Sequence, residues 1–198
     1  MSAAPSMYPS YGLAGLRMGA EEYLALGKTP ERCELIHGVV VMSPRPAPRH
    51  SKGFQEILFQ LGQFARAGGR ADVYAQTDLK ISDCSVLRPD IYAYYPSTPM
   101  TAAAIPDRLS EAPDLVVEVL SPGSEAYDLI TKKEEYEQRG VKECWVIDPR
   151  DARTRAWHRE GSRLIESLVE GLSLASRALP GFTLDLGALA KAIGRPPA

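Results

Sequence analysis

The stretch "PDLVVEVLSPGS", residues 113–124, decides how the chain folds. Its centre, Leu115 to Leu120, is apolar on both side-chain parities, the pattern of a strand in a sheet covered on both faces. Such a strand belongs in the middle of a domain, yet Glu118 is threaded through it. Burying a carboxylate without a partner costs several kcal/mol, on the order of the whole stability of a small domain. Something must compensate Glu118, and its identity is the functional question.

Working outward, the strand ends in the turn "SPGS", and Ser124 is placed to cap a helix running to Arg139, with Gly140 as its stop. "ECWVIDP" is a second strand of buried type, and "TRAWHREGSRLIESL" reads as a hairpin turning at Gly161-Ser162. Before the central strand lie two further strand candidates, "ADVYAQTDLKIS" and "VLRPDIYAYY", then a Pro- and Ala-rich loop from Pro96 to Ala112. Earlier still, "MGAEEYLALG" is a short helix ending at Gly27. "RCELIHGVVVMSP" is a strand pair about His37-Gly38. Ser51 to Ala67 form a longer helix on the spacing of Ile57, Leu58, Leu61, Phe64 and Ala65. "GALAKAIG" closes the chain as a short helix. Strands interleaved with helices predict an α/β domain with a mixed sheet. Residues 1–16, without periodicity, are expected to be a flexible tail, and 17–194 one domain.

The composition bounds the function. The chain has 198 residues, 44% hydrophobic and 24% charged, ordinary for one globular domain. Three separated cysteines, Cys33, Cys84 and Cys144, give neither a disulfide framework nor a zinc site, and a reducing cytoplasm is the expectation. The N-terminus lacks the basic and apolar regions of a signal peptide, and no apolar run reaches 18 residues. A net charge of −2 exerts no global pull toward nucleic acid, which disfavours a DNA-coating protein but leaves room for a local basic groove. No nucleotide-binding glycine loop, nucleophile elbow or Ser-His-Asp order is visible.

The candidate chemistry lies in acids that break strand patterns. Asp90, in "RPDIYAYY", does what Glu118 does. If the two strands pair, the carboxylates meet at neighbouring positions about 5 Å apart. Two carboxylates that close repel unless a proton or cation lies between them. A hard cation, Mg²⁺ or Mn²⁺, would compensate both. Pairing of each acid with a nearby base is the competing account. Asp114 lies four strand residues from Glu118, about 13 Å, too far to share one ion, and reads as the residue that opens the strand. Asp128, Lys132 and Tyr136 recur every four residues and share a helix face, either as a simple Asp-Lys pair with a packed Tyr or with Lys132 reaching the carboxylates.

These residues, taken in order, resemble a family. "RPD" at 88–90, "VEVLSP" at 117–122, the Asp128-Lys132-Tyr136 helix, "GVKECWVIDP" at 140–149 and "ELIHG…MSP…H" from 34 to 50 are similar to the bacterial restriction-endonuclease family (Uma-two-like) of the PD-(D/E)XK nuclease superfamily, from about residue 18 to 190. The resemblance implies a restriction-endonuclease-like core, a central mixed β-sheet flanked by helices. It also implies that Asp90 and Glu118 ligate a metal, with Glu34 completing or supporting the site. The superfamily places a lysine two residues after the second acid, where this chain has Leu120. Lys132 on the following helix matches the family's position, and Lys133 is the fallback.

Around this centre, His50, Arg49 and Lys52 are candidates for contact with substrate phosphates at a helix start, beside Arg45. Gln76 and Tyr136 are candidates for support of the metal ligands. The expected function is metal-dependent hydrolysis of DNA, with a homodimer expected by analogy. A catalytically silent nucleic-acid-binding or assembly protein and a metal-dependent hydrolase of another phosphate substrate are the alternatives.

Overall fold

The computed structural model describes residues 12–27, 32–43, 46–96 and 111–195. The strand that posed the problem is β7, Leu115–Val119, and all five of its residues are buried. It pairs in parallel with β8, Glu143–Ile147, and antiparallel with β6, Ile91–Tyr94. Beyond β8 lie β9, Thr154–Glu160, and β10, Arg163–Ser167; beyond β6 lies β3, Asp72–Ala75. The result is a six-stranded mixed sheet in the order β10-β9-β8-β7-β6-β3.

Alternation along β7 sorts its side chains between two cores. Leu115, Val117 and Val119 join Ile57 and Leu61 of α2, Pro48–Arg66, and Leu189 and Ile193 of the C-terminal region. Val116 and Leu120 join Tyr136, Val141, Leu79 and Leu87 on the opposite face. Glu118 shares parity with this second pair, so it points toward the helix that follows β7 rather than toward α2. Trp145 and Trp157 are both buried, as their strand positions predict.

A second, antiparallel sheet of four short strands stands beside the first, in the order β2-β1-β5-β4. Its members are β1, Cys33–Ile36; β2, Val39–Met42; β4, Leu79–Lys80; and β5, Val86–Leu87. The two long strand candidates each break in two as they pass from one sheet to the other. "ADVYAQTDLKIS" becomes β3 and β4, with Gln76 between them at a positive φ of 52°. "VLRPDIYAYY" becomes β5 and β6, so Asp90 lies in the link rather than inside a strand. The Gln76 amide donates to the carbonyls of Pro89 (3.2 Å) and Asp90 (3.1 Å), pinning the two crossings together.

Helix α1, Ala20–Ala25, covers the four-stranded sheet, where Leu13, Tyr23, Leu35, Val40 and Val86 form a third cluster. Leu13 is buried there and the Gly15 amide donates to Val40, so the chain already touches the fold at these two residues, on the tail side of the boundary expected at 17. The rest of the expected tail, residues 1–11, and most of the expected loop at 96–112 lie outside the described residues. The sequence reading missed a two-stranded sheet, β11 (Ser173–Ala175) with β12 (Thr183–Asp185), ahead of α4, Leu186–Ala192. Helix α2 begins three residues before Ser51, at Pro48, a residue suited to the first helical turn. Among the described residues no helix is long and apolar enough to cross a membrane.

Candidate active site

The β6–β7 register fixes the first relationship. Ile91 faces Val117, so Asp90 and Glu118 fall opposite each other one step further along. Each carboxylate accepts an amide from the other's segment. The Asp90 N–H donates to Glu118 Oε2 at 3.3 Å, and the Val119 N–H donates to Asp90 Oδ2 at 2.9 Å. The adjacency expected from two pairing strands is present, although Asp90 sits just outside its strand.

The helix after β7 supplies the counter-charge. It opens with a π-helical segment, Tyr127–Lys132, that runs on into α3, Lys133–Arg139, and Gly140 ends it in the left-handed conformation with φ 99°. Single π-helical turns inside α-helices are often found at functional sites. Lys132 Nζ lies 3.2 Å from Glu118, 3.1 Å from Glu34 and 3.4 Å from Asp128. Tyr136 donates its hydroxyl to Glu118 Oε1 at 2.5 Å. Ser124 does not cap an amide of the helix with its side chain; its hydroxyl accepts the Ser121 amide at 3.0 Å and donates to Asp128 at 2.5 Å. Lys133 turns elsewhere, to Glu137 at 3.4 Å.

Glu34, from β1, is held on four sides. Its Oε1 accepts the Arg88 amide at 2.7 Å and faces Lys132, and its Oε2 accepts from Ser43 (3.2 Å) and Tyr127 (3.3 Å). His50, in the first turn of α2, is 4% exposed and places Nε2 3.0 Å from Asp90 Oδ2. Its Nδ1 is buried without a hydrogen-bond partner among the described residues. Arg32 reaches Asp90 Oδ1 at 3.3 Å. Asp128 pairs with Lys132 as their shared helix face allows, while Arg32, Ser124 and Tyr127 are contributors that the sequence did not single out. Arg32 could have been suspected from sharing parity with Glu34 two residues on.

Three buried carboxylates, Glu34, Glu118 and Asp128, thus share one buried ammonium, and a fourth, Asp90, stands beside Glu118 with His50 and Arg32 as its partners. Burial pushes Glu118 up to about 8, against the pull of Lys132. Asp128 is likewise raised by burial. Asp90 goes the other way: burial would raise it, but the hydrogen bond and charge of His50 and the Val119 amide hold it below the usual range. Burial opposes the charge on Lys132, but Glu118, Glu34 and Asp128 raise it well above an ordinary lysine. The cleft between these groups encloses about 30 Å³, room for about one water.

The donor set suits a hard divalent cation. It is all carboxylate oxygen, it exceeds the local positive charge, and Mg²⁺ takes only one or two carboxylates and fills its other positions with water or phosphate. Asp90 and Glu118 are the pair that fits. Among the described residues no three acids, histidines or cysteines converge in a metal-holding group, and Glu34 stands in the supporting place. It meets the cluster through Lys132.

The remaining candidates lie around this centre. Arg49 and Lys52 are exposed in the first two turns of α2, away from the carboxylates; Arg45 lies outside the described residues. The Gln76 side chain is exposed, and the residue serves through its backbone amide. Asp114 opens β7 at the far end, accepting the Tyr95 amide at 2.6 Å and pairing with Lys142.

The sequence model of one family, Uma2, described as "Putative restriction endonuclease", matches residues 20–187. No curated protein matches the chain in sequence. Among solved structures, the fold is similar to one described as "a putative nuclease belonging to DUF820" from Anabaena variabilis. Its TM-score is 0.73 and its identity 20%, over 89% of this chain and 99% of that one. At that identity the likeness shows the fold alone.

Proposed function

The chain belongs to the Uma2 family of restriction-endonuclease-like proteins, and on that premise we propose that it is a metal-dependent endonuclease hydrolysing DNA phosphodiester bonds. The observation that carries the proposal is the convergence of Asp90 and Glu118 at the end of β7 with the buried ammonium of Lys132. Purely structural acids do not need to gather three around one lysine with a fourth alongside, because each extra buried carboxylate raises the others' cost.

Asp90 and Glu118 would hold Mg²⁺ or Mn²⁺. When bound, such an ion neutralises the phosphate and makes a bound water more acidic. The protein's own groups do the rest. The Val119 and Asp90 amides fix the two carboxylates. His50 and Arg32 orient Asp90, and Tyr136 orients Glu118. Lys132 places an ammonium where charge builds on the phosphate in the transition state, with Glu34 and Asp128 fixing its position. Arg49 and Lys52, exposed near the start of α2, would meet flanking phosphates, and a homodimer would bring two such centres together.

A second reading, a hydrolase of a smaller phosphate ester, draws support from the narrowness of the cleft, about 30 Å³. The deciding experiment is Mg²⁺ or Mn²⁺ calorimetry on wild type and Glu118→Ala, with plasmid cleavage and a small aryl phosphodiester assayed on the same samples. Metal binding and plasmid cleavage that both vanish in the variant support the endonuclease. Turnover of the small ester without plasmid cleavage supports the second reading. A wild type that binds no metal at millimolar concentration ends both.

A further inference from the structure

A larger cavity lies beside the carboxylate cluster, not within it. It encloses about 410 Å³, inside the range of about 300–1,000 Å³ typical of small-molecule sites. Its walls are chiefly apolar, built from Leu120 and three prolines, Pro48, Pro122 and Pro149. Proline presents no N–H, so a flat ring inserted there meets rigid apolar surface without competing backbone donors. Ser121 lines both this cavity and the carboxylate cleft, so the two share a wall.

The charge at the rim suits a phosphodiester. Arg49 is exposed at the cavity's edge, and no partner for its guanidinium stands among the described residues. Arg150, on the opposite side, is anchored by Glu125 and Asp148, both at 2.6 Å. A free guanidinium beside an apolar cavity matches a phosphate attached to a buried ring.

The depth of the neighbouring centre supplies the second observation. Asp90, Glu118 and Lys132 are 4%, 2% and 6% exposed. A duplex is a stiff, wide rod, whereas a single strand bends and can carry its backbone into a recessed centre while its unstacked bases rest on neighbouring apolar surface. Resting on the nuclease reading above, we propose that the Pro48–Pro122–Pro149 cavity receives one unstacked nucleobase next to the scissile phosphate. The substrate is therefore single-stranded or locally unpaired nucleic acid, with Arg49 on the adjoining phosphate.

The test is fluorescence anisotropy in chelator, with one labelled oligodeoxynucleotide presented as a single strand, as a duplex and as a single strand with abasic sites. The single strand binds about tenfold more tightly than the other two, the scale of one stacked base. Ala47→Phe, which fills the cavity from its wall, removes that preference while the melting temperature and Mn²⁺ affinity stay at wild-type values. Should Ala47→Phe fail to fold, Arg49→Ala weakens single-strand binding at unchanged melting temperature. Equal affinity for single strand and duplex overturns the inference, as does a folded Ala47→Phe or Arg49→Ala that binds the single strand like wild type. Failure of the nuclease reading looks different: no Mn²⁺ binding, with the single-strand preference intact.

Discussion

Asp90 and Glu118 are tied to each other through backbone amides rather than facing each other as free acids. Each carboxylate accepts an N–H from the segment that carries the other, at 3.3 and 2.9 Å. Their separation is therefore set by the β6–β7 register and survives changes in the surrounding side chains. Loss of either carboxyl group removes one half of the arrangement and leaves the other standing.

Lys132 is a single cation shared by three buried acids. Lys132→Met strands Glu34, Glu118 and Asp128 without their shared cation, and breaking a buried pair of this kind costs about 3–5 kcal/mol. Urea unfolding of Lys132→Met, compared with Lys132→Met/Glu118→Gln, checks this. At pH 9 and above, where Glu118 tends to its ionised form, the double variant regains part of the lost stability, because one of the stranded charges has been removed. A double variant no more stable than the single one refutes the account.

Lys133 provides the contrast. It pairs with Glu137 and does not reach the carboxylates. Lys133→Ala costs no more than about 1 kcal/mol and leaves Mn²⁺ affinity as in wild type. Calorimetry that finds metal binding impaired in Lys133→Ala moves the lysine assignment to that residue.

Tyr136 fixes Glu118 through one short hydrogen bond in the buried core. Tyr136→Phe leaves that oxygen with Lys132 alone, and a buried group losing a partner is destabilised by about 1–3 kcal/mol. The variant lowers the unfolding midpoint and weakens Mn²⁺ binding without abolishing it. Unchanged metal affinity would make Tyr136 purely a packing residue.

Glu118 also sets a pH dependence. Its folded-state pKa is raised, by burial, from an ordinary 4.5 to about 8, and Asp128 is raised in the same direction. The folded state thus binds a proton that the unfolded state releases, and stability falls as pH climbs from about 4.5 through about 8. Metal-free protein has a lower urea midpoint at pH 8.5 than at pH 5.5, and Glu118→Gln flattens the difference. A midpoint that rises over this interval contradicts the burial of an uncompensated Glu118.

Much of this was legible in the sequence, and the rest was hidden for definite physical reasons. β7, β8 and the β9–β10 hairpin announce themselves by apolar runs and a Gly-Ser turn; Asp90 and Glu118 stand out because each interrupts an apolar pattern, and Lys132 because it recurs with Asp128 and Tyr136 on one helix face. The sheet crossings at Gln76 and Pro89 do not, because a strand that changes sheets keeps the same alternation on both sides of the bend. β11 and β12 are three residues each, too short for period-two alternation to register. The standing of Glu34 as the support of Lys132 depends on how two sheets abut, which no local pattern encodes.

The passage of the chain between its two sheets has a consequence for the nascent protein. Glu34 comes from one sheet, Asp90 from the link between sheets, Glu118 from the other sheet and Lys132 from the helix beyond it. The centre therefore spans residues 34 to 132 and exists only once both sheets have formed and docked. A chain emerging from the ribosome, or one that has opened at a single sheet, carries the acids but not the constellation. On the endonuclease reading proposed above, such intermediates would be harmless to the DNA around them, and competence to cut would be conferred by completion of the fold itself.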